Sequence, residues 1–190
     1  LRYRWHSYRR RRASAVQHGL FAVLEGFGRL IAEARPQWRA PRISAAVRTR
    51  LVDLLQPGDI IVTRYDAALS NLLLPGFWPH VSLHVGLPDQ TVPRLGLPQG
   101  DPTVASWIAP RRVLEARKDG VLYRPIEETL SVDAACILRP DLDDDDVHES
   151  IRRAIRHAGK LYDFDFDFFR DDCLVCTEVV YRAYEGVGGL

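Results

Sequence analysis

The segment CLVCTEVVYRAY at residues 173–184 governs the interpretation of the chain, because it places a cysteine at the start of an amphipathic helix. The residues expected on the buried face of this helix are Val179, Val180, Ala183 and Tyr184. A thiol at a helix N-terminus faces the positive end of the helix dipole, which lowers its pKa, and the N–H groups of the first turn can stabilise an oxyanion. Cys176 is therefore a candidate nucleophile. The same position also suits a buried, inert cysteine, and a nearby base would decide between the two.

The chain has three cysteines, Cys136, Cys173 and Cys176. An odd number is a poor disulfide framework, so we expect reduced thiols. Cys173 and Cys176 form a C-x-x-C pair, as in thioredoxin-type redox proteins. In those proteins the motif follows an early strand and begins a long helix, whereas this pair lies near the C-terminus, so a redox role is the less favoured interpretation. A zinc site needs a second pair of Cys or His ligands, which the sequence does not supply, so no metal site is predicted.

The candidate base lies in the apolar segment HVSLHVG at residues 80–86. His80 and His84 share one face of the predicted strand, and His80 is at its start, beside a loop, where active-site residues tend to lie. Glu115 stands in the middle of another apolar strand, where a carboxylate needs a partner. That partner is either an arginine, with Arg64, Arg112 and Arg117 as candidates, or the imidazole of His80.

The hydrophobic pattern predicts an α+β domain, with strands grouped centrally and helices at both ends. The predicted strands are 59–65, 80–86, 112–117, 121–126 and 135–140. A short helix is expected at 43–55, and a second helix should follow the acidic run Asp143–Asp146, whose carboxylates suit a helix N-terminus. Residues 87–111 contain five prolines and are predicted to be a long surface insertion.

Five segments in order resemble the permuted NlpC-type papain-like hydrolases of the YiiX/YebB-like group. These segments are PGDIIVTRY, LLPGFWPHVSLHVG, VLEARKDGV, YDFDF and CLVCTEVVYRAY, and they cover about residues 51–187. In this family the strand with the His comes first and the helix with the Cys comes last. The resemblance implies a circularly permuted papain-like fold, with a small central antiparallel sheet or barrel and the nucleophile on a C-terminal helix.

The family motifs fall on particular residues of this chain. The nucleophile of the C-[ST]-E-[LV]-[VI] motif falls on Cys176, the family's His on His80 and its third polar residue on Glu115. The resemblance implies amide hydrolysis through a Cys acyl-enzyme, with cell-wall peptides as candidate substrates and no cofactor. Related permuted folds act on lipid esters, and the apolar loop 69–78 beside His80 would suit an acyl chain. The residues expected to line the substrate pocket are Trp78, Tyr162 and Thr177.

Residues 1–42 are predicted to form a separate N-terminal segment, and residues 43–190 the hydrolase domain. Residues 1–50 carry twelve Arg and two Glu, whereas residues 141–190 carry thirteen acids and six bases. An extra helix expected at 14–34 could pack on the domain or contact an anionic membrane surface. No specific nucleic-acid partner is expected. No signal peptide or membrane span is predicted, so the cellular location of the protein is left open. The chain contains no Met, and we therefore expect it to derive from a longer gene product.

Overall fold

The computed structural model describes residues 40, 42–66 and 76–189. The extra helix predicted at 14–34 and most of the apolar loop 69–78 lie outside the described residues. Within the described part, the α+β prediction is confirmed: helices pack on a five-stranded antiparallel sheet. None of the helices in that part is long and apolar enough to traverse a bilayer.

The central sheet has the strand order β4-β3-β2-β1-β5, and every neighbouring pair is antiparallel. Its strands are β1 (Ile60–Arg64), β2 (His80–His84), β3 (Arg111–Arg117), β4 (Gly120–Pro125) and β5 (Ala134–Leu138). All five strands agree with the sequence prediction to within two residues at each end. The linear order describes an open sheet, with β4 at one edge and β5 at the other.

The described helices are α1 (Ala45–Leu54), the single turns α2 (Pro88–Thr91) and α3 (Ile126–Thr129), α4 (Asp144–Ile155) and α5 (Cys176–Tyr184). Two short strands, β6 (Leu161–Tyr162) and β7 (Cys173–Leu174), pair in parallel beside the main sheet. Asp143 caps α4 by accepting a hydrogen bond from the Asp146 N–H, as the acidic run predicts.

The main core lies between the sheet and the pair α4 and α5. Residues that are fully buried there include Leu83, Leu114, Ile151, Val179 and Ala183. A smaller cluster, formed by Ile61, Val113, Ile126 and Leu130, receives the apolar side of α1. The sheet is therefore covered on both faces.

Residues 87–111 are mostly exposed, as predicted for a surface insertion, but a few of their side chains enter the core. Besides α2, this segment contains two 3₁₀ turns, Val92–Arg94 and Pro102–Val104. Leu95 and Trp107 are almost completely buried in the main core, and Trp107 stacks on Tyr123 at 5.1 Å between ring centroids. The burial of these two side chains was not predicted, because prolines break regular structure but do not prevent isolated side chains from packing inward.

Two turns position the strands that carry the site. Gly58 has φ +90°, and a Cβ there would lie 2.8 Å from Val147 on α4. Gly120, at the β3–β4 hairpin, has φ +102°, and a Cβ would lie 2.5 Å from the Lys160 carbonyl oxygen. Both turns therefore require glycine, and they fix how β1 and β3 are aligned with their neighbours.

Candidate active site

Cys176 is the first residue of α5, directly after the short strand β7. The Glu178 side chain accepts a hydrogen bond of 3.0 Å from the Val175 N–H, which ties down the start of the helix. At the other end of α5, the Tyr184 hydroxyl donates to the Gly58 carbonyl. The helix is thus held at both ends, with the thiol at its N-terminus. Glu178 was not among the predicted site residues, although a Glu three residues after a helix cap is a signal that could have revealed it.

His80 is the first residue of β2 and lies opposite Thr63 of β1. The His80 Nε2 is 2.5 Å from the Glu115 Oε2, so Nε2–H donates to the carboxylate. The thiol of Cys176 lies close enough to the His80 ring for the two groups to shift each other's pKa, that of His80 upward and that of Cys176 downward. Because Glu115 occupies Nε2, Nδ1 is the ring nitrogen left for the thiol. The structure therefore brings Cys176, His80 and Glu115 together in one interacting group.

Glu115 lies in the middle of β3 and is completely buried. The sequence left its partner open between an arginine and His80, and the structure gives it both. Its Oε2 faces His80, while Arg117 approaches its Oε1 at 2.8 Å. Arg64, a second candidate, instead pairs with Asp66 at 2.6 Å.

The charges of this series reinforce one another. Burial by itself lowers the pKa of His80, but hydrogen bonds with Cys176 and Glu115 and the nearby negative charges raise it to about 9. Burial would raise the pKa of Glu115, but His80 and two arginines lower it to about 2. The carboxylate is thus ionised at neutral pH, and the imidazole beside it favours the protonated form.

The pKa of the Cys176 thiol is lowered in spite of its burial, which acts in the opposite direction. The hydrogen bond with His80 and the charge of His80 lower it, and so do the N–H groups of Val81 and Thr177. These contacts stabilise the thiolate. Together with the raised pKa of His80, they favour transfer of the thiol proton to the imidazole, which gives a thiolate–imidazolium pair.

The other cysteines have different surroundings. Burial and the charge of Asp163 raise the pKa of the Cys173 thiol, whose sulfur is 3.9 Å from Asp172. Cys136 is half-buried in the edge strand β5, with its sulfur 3.7 Å from the Ile137 carbonyl. All three cysteines are free thiols. The electrostatics thus separate Cys176, which favours the thiolate, from Cys173, which favours the neutral thiol.

His84, the second His of β2, has a structural environment. Its Nδ1 is 2.8 Å from the Gln56 carbonyl oxygen, and burial lowers its pKa. The ring is therefore neutral at pH 7 and donates from Nδ1. Of the two His residues on this strand, His80 is the one beside the Cys176 thiol.

The three residues expected in the substrate pocket have different positions. Tyr162 lies in the region of the thiol, since burial and, second, the charge of Cys176 raise the pKa of its phenol. Thr177 is exposed, and its N–H is directed at the Cys176 sulfur. Trp78 is 41% exposed and packs against Phe77, two residues before His80. Tyr162 and Thr177 therefore contact the region of the thiol, whereas Trp78 is placed near it only through its closeness to His80 in the chain.

Among the residues that the structure describes, no group of three or more His, Cys, Asp or Glu side chains could hold a metal ion. The chemistry available at the site is that of a thiol, an imidazole and a carboxylate. Such a series, with the thiol at a helix N-terminus, can form and resolve a covalent acyl intermediate.

Comparison with known proteins assigns the chain to a family. The model for the permuted papain-like amidase enzymes of the YaeF/YiiX, C92 family matches residues 54–189, which is more than two thirds of the chain. Searches against curated proteins and against solved structures gave no match. The matched span includes all five strands of the sheet and both α4 and α5. The chain therefore belongs to the Peptidase_C92 family of permuted papain-like amidases.

Proposed function

We propose that the protein hydrolyses an amide bond of a peptide through an acyl-enzyme formed on Cys176. His80 acts as the base and later as the acid, and Glu115 orients His80. The observation that carries this proposal is the His80 imidazole bonded to the buried Glu115 carboxylate and electrostatically coupled to the Cys176 thiol at the N-terminus of α5. A base oriented by a third group is the arrangement that nucleophilic catalysis requires.

In the acylation step, the Cys176 thiolate attacks the carbonyl carbon of the substrate and a C–S bond forms. The resulting oxyanion is stabilised by N–H groups of the first turn of α5, including that of Cys176. The imidazolium of His80 then donates its proton to the amide nitrogen, the C–N bond breaks and the amine leaves. The product of this step is a thioester, with a neutral imidazole held by Glu115.

In the deacylation step, the neutral imidazole of His80 takes a proton from water while the water oxygen attacks the thioester carbonyl. The C–S bond then breaks, which releases the carboxylic acid and restores the thiolate–imidazolium pair. The Glu115 carboxylate stays ionised in both steps, because its pKa is held at about 2. It therefore fixes the ring orientation and stabilises the imidazolium without accepting the proton itself.

The experiment that tests this proposal is hydrolysis of muropeptides and of synthetic peptides by the protein and by two cysteine variants. Cys176→Ala should abolish amide release while leaving the thermal unfolding midpoint unchanged. Cys173→Ala is the matched control, since it removes a buried thiol three residues away, and it should retain turnover. Full turnover by Cys176→Ala, or loss of turnover only in Cys173→Ala, would refute the assignment.

A second candidate is a lipid-ester hydrolase or acyltransferase that uses the same three residues. The observation in its favour is the pair Phe77 and Trp78, which are 59% and 41% exposed and immediately precede Pro79 and His80. Two exposed aromatic rings at this position would suit contact with an acyl chain or a lipid surface. Fatty-acid release from phospholipid vesicles, measured beside amine release from muropeptides, separates the two functions. Replacement of Phe77 and Trp78 by Ser should reduce only the lipid reaction if this candidate is correct.

A further inference from the structure

The two carboxylate oxygens of Glu115 have different partners. Oε2 accepts from His80, while Oε1 accepts from the Thr129 hydroxyl at 3.1 Å. Arg117 Nη2 lies 2.8 Å and Arg124 Nε lies 3.3 Å from the same Oε1. We infer that Arg117, Arg124 and Thr129 are positioning residues, which hold Glu115 in the orientation in which it receives the hydrogen bond from His80. This inference rests on the proposed function.

Three different elements supply these groups. Arg117 is two residues after Glu115 on β3, so both side chains lie on the same face of the strand. Arg124 comes from the neighbouring strand β4, and Thr129, which is completely buried, comes from the turn α3. A carboxylate held from three directions has one orientation. Loss of any one contact allows it to rotate away from the His80 ring.

Arg117 and Arg124 are themselves held in place by ion pairs with two further carboxylates. Glu128 Oε1 lies 2.9 Å from Arg117 and 3.4 Å from Arg124, and Asp119 lies 2.5 Å from Arg124. With His80 protonated, this cluster contains three carboxylates and three cations. The balance explains why a fully buried carboxylate is tolerated at the centre of a strand, since a buried charge must be paired and hydrogen-bonded.

The groups around Glu115 also affect the pKa of the Cys176 thiol, through Glu115 and His80. Arg117 and Arg124 lower the pKa of Glu115, and Glu115 in turn raises that of His80. The charge and the hydrogen bond of His80 lower the pKa of Cys176. Loss of a contact between a positioning residue and Glu115 should therefore raise the pH at which the Cys176 thiol becomes reactive. This effect is expected although none of the three positioning residues touches the sulfur.

The test is the pH profile of Cys176 alkylation by iodoacetamide, followed by mass spectrometry, together with kcat/KM on the peptide substrate. Thr129→Val keeps the shape of the side chain and removes the hydroxyl, and Arg117→Gln removes the charge. Both should shift the alkylation profile to higher pH and reduce kcat/KM roughly fivefold to tenfold, the size expected for one net hydrogen bond. Thr129→Ser retains the hydroxyl and should keep the profile of the unmodified protein.

The matched control is Arg139→Gln, which removes an arginine from another buried ion pair. Arg139 follows β5 and lies 2.7 Å from the buried Asp59, and it is not one of the groups bonded to Glu115. Unchanged profiles in Thr129→Val and Arg117→Gln would overturn the inference, and so would an equal shift in Arg139→Gln. Either result is distinct from failure of the proposed function, which would appear as turnover by Cys176→Ala.

Discussion

At the scale of single residues, the account depends on the way in which Glu115, His80 and Cys176 share charge. Glu115 is fully buried, yet its pKa is about 2, because positive groups surround it. The pKa of His80 is raised to about 9 and that of Cys176 is lowered, so a proton moves from sulfur to nitrogen more readily than in water. Cys176 and Glu115 together raise the pKa of His80, and His80 in turn lowers that of Cys176.

Replacing Glu115 with Gln should therefore reduce kcat/KM by about 10²- to 10⁴-fold, because a neutral amide neither fixes the ring orientation nor stabilises the imidazolium. Steady-state kinetics on the peptide substrate measure this effect. Glu127→Gln, on the exposed side of α3, is the matched control and should leave the rate unchanged. Normal turnover by Glu115→Gln would mean that His80 is oriented by another group.

The candidate residues were accessible from the sequence, whereas most of the groups that hold them were not. Cys176 stood out because it begins an amphipathic segment, and Glu115 because a carboxylate interrupts an apolar strand. Arg117 was already a candidate partner, since it lies two residues after Glu115 on the same strand. Arg124 and Thr129 converge on Glu115 only through the register of β3 with β4 and the position of α3, which a sequence pattern does not contain.

At the scale of secondary-structure elements, α5 is the element whose exact start matters most. The Glu178 carboxylate accepts the Val175 N–H and so fixes the turn that contains Cys176. The N–H of Thr177, in the same turn, is one of the groups that stabilise the thiolate. Helix stability and thiol reactivity are consequently linked at this position.

Glu178→Ala should lower the free energy of unfolding by about 1 kcal/mol and also slow alkylation of Cys176 at neutral pH. Chemical denaturation and alkylation kinetics measure the two effects. Asp143→Ala removes the corresponding cap from α4 and should cost a similar amount of stability without changing the alkylation rate. Equal alkylation rates in the two variants would show that the first turn of α5 does not depend on its cap.

The secondary-structure prediction was accurate where a periodic pattern was long and uninterrupted. The five strands and the helices α1, α4 and α5 were expected at nearly their observed positions. The prediction of a surface insertion at residues 87–111 missed the burial of Leu95 and Trp107, because that burial depends on tertiary packing over α4 and β4 rather than on local periodicity. The two-residue strands β6 and β7 are likewise too short to have a pattern of their own.

At the scale of the whole molecule, folding brings together residues that are far apart in the sequence. The sheet order puts β2 beside β3, and α5 packs against β2, so that residues 80, 115 and 176 become neighbours. We propose that residues 43–190 form the catalytic domain, because Leu51 and Leu55 of the α1 region pack on the smaller apolar cluster. The role of residues 1–42 remains the prediction made from their charge and helical pattern.

The buried charges predict how the stability of the molecule depends on pH. The pKa of Glu115 falls from 4.5 in the unfolded chain to about 2 in the folded protein. Its contribution to stability is therefore complete above pH 4.5 and is lost as the pH falls through about 2. Between pH 6.5 and about pH 9, the pair His80 and Cys176 holds one proton in the unfolded chain and one in the folded ion pair, so it adds no pH dependence in that range.

The free energy of unfolding should thus decline between pH 4.5 and pH 2, and it should decline less steeply in Glu115→Gln. Urea denaturation at several pH values provides the comparison. Parallel curves for the two proteins would show that Glu115 has the same pKa in the folded and unfolded states, which its ion pairs with Arg117 and Arg124 contradict.

The most direct test of the central claim is the alkylation rate of each cysteine at pH 6 in the unmodified protein and in His80→Ala. The account predicts that Cys176 is modified much faster than Cys173, and that this advantage is lost when the imidazole is removed, because His80 stabilises the thiolate. Peptide mass spectrometry resolves the two sites. Equal rates at Cys176 and Cys173, or a Cys176 rate that does not change in His80→Ala, would contradict the account.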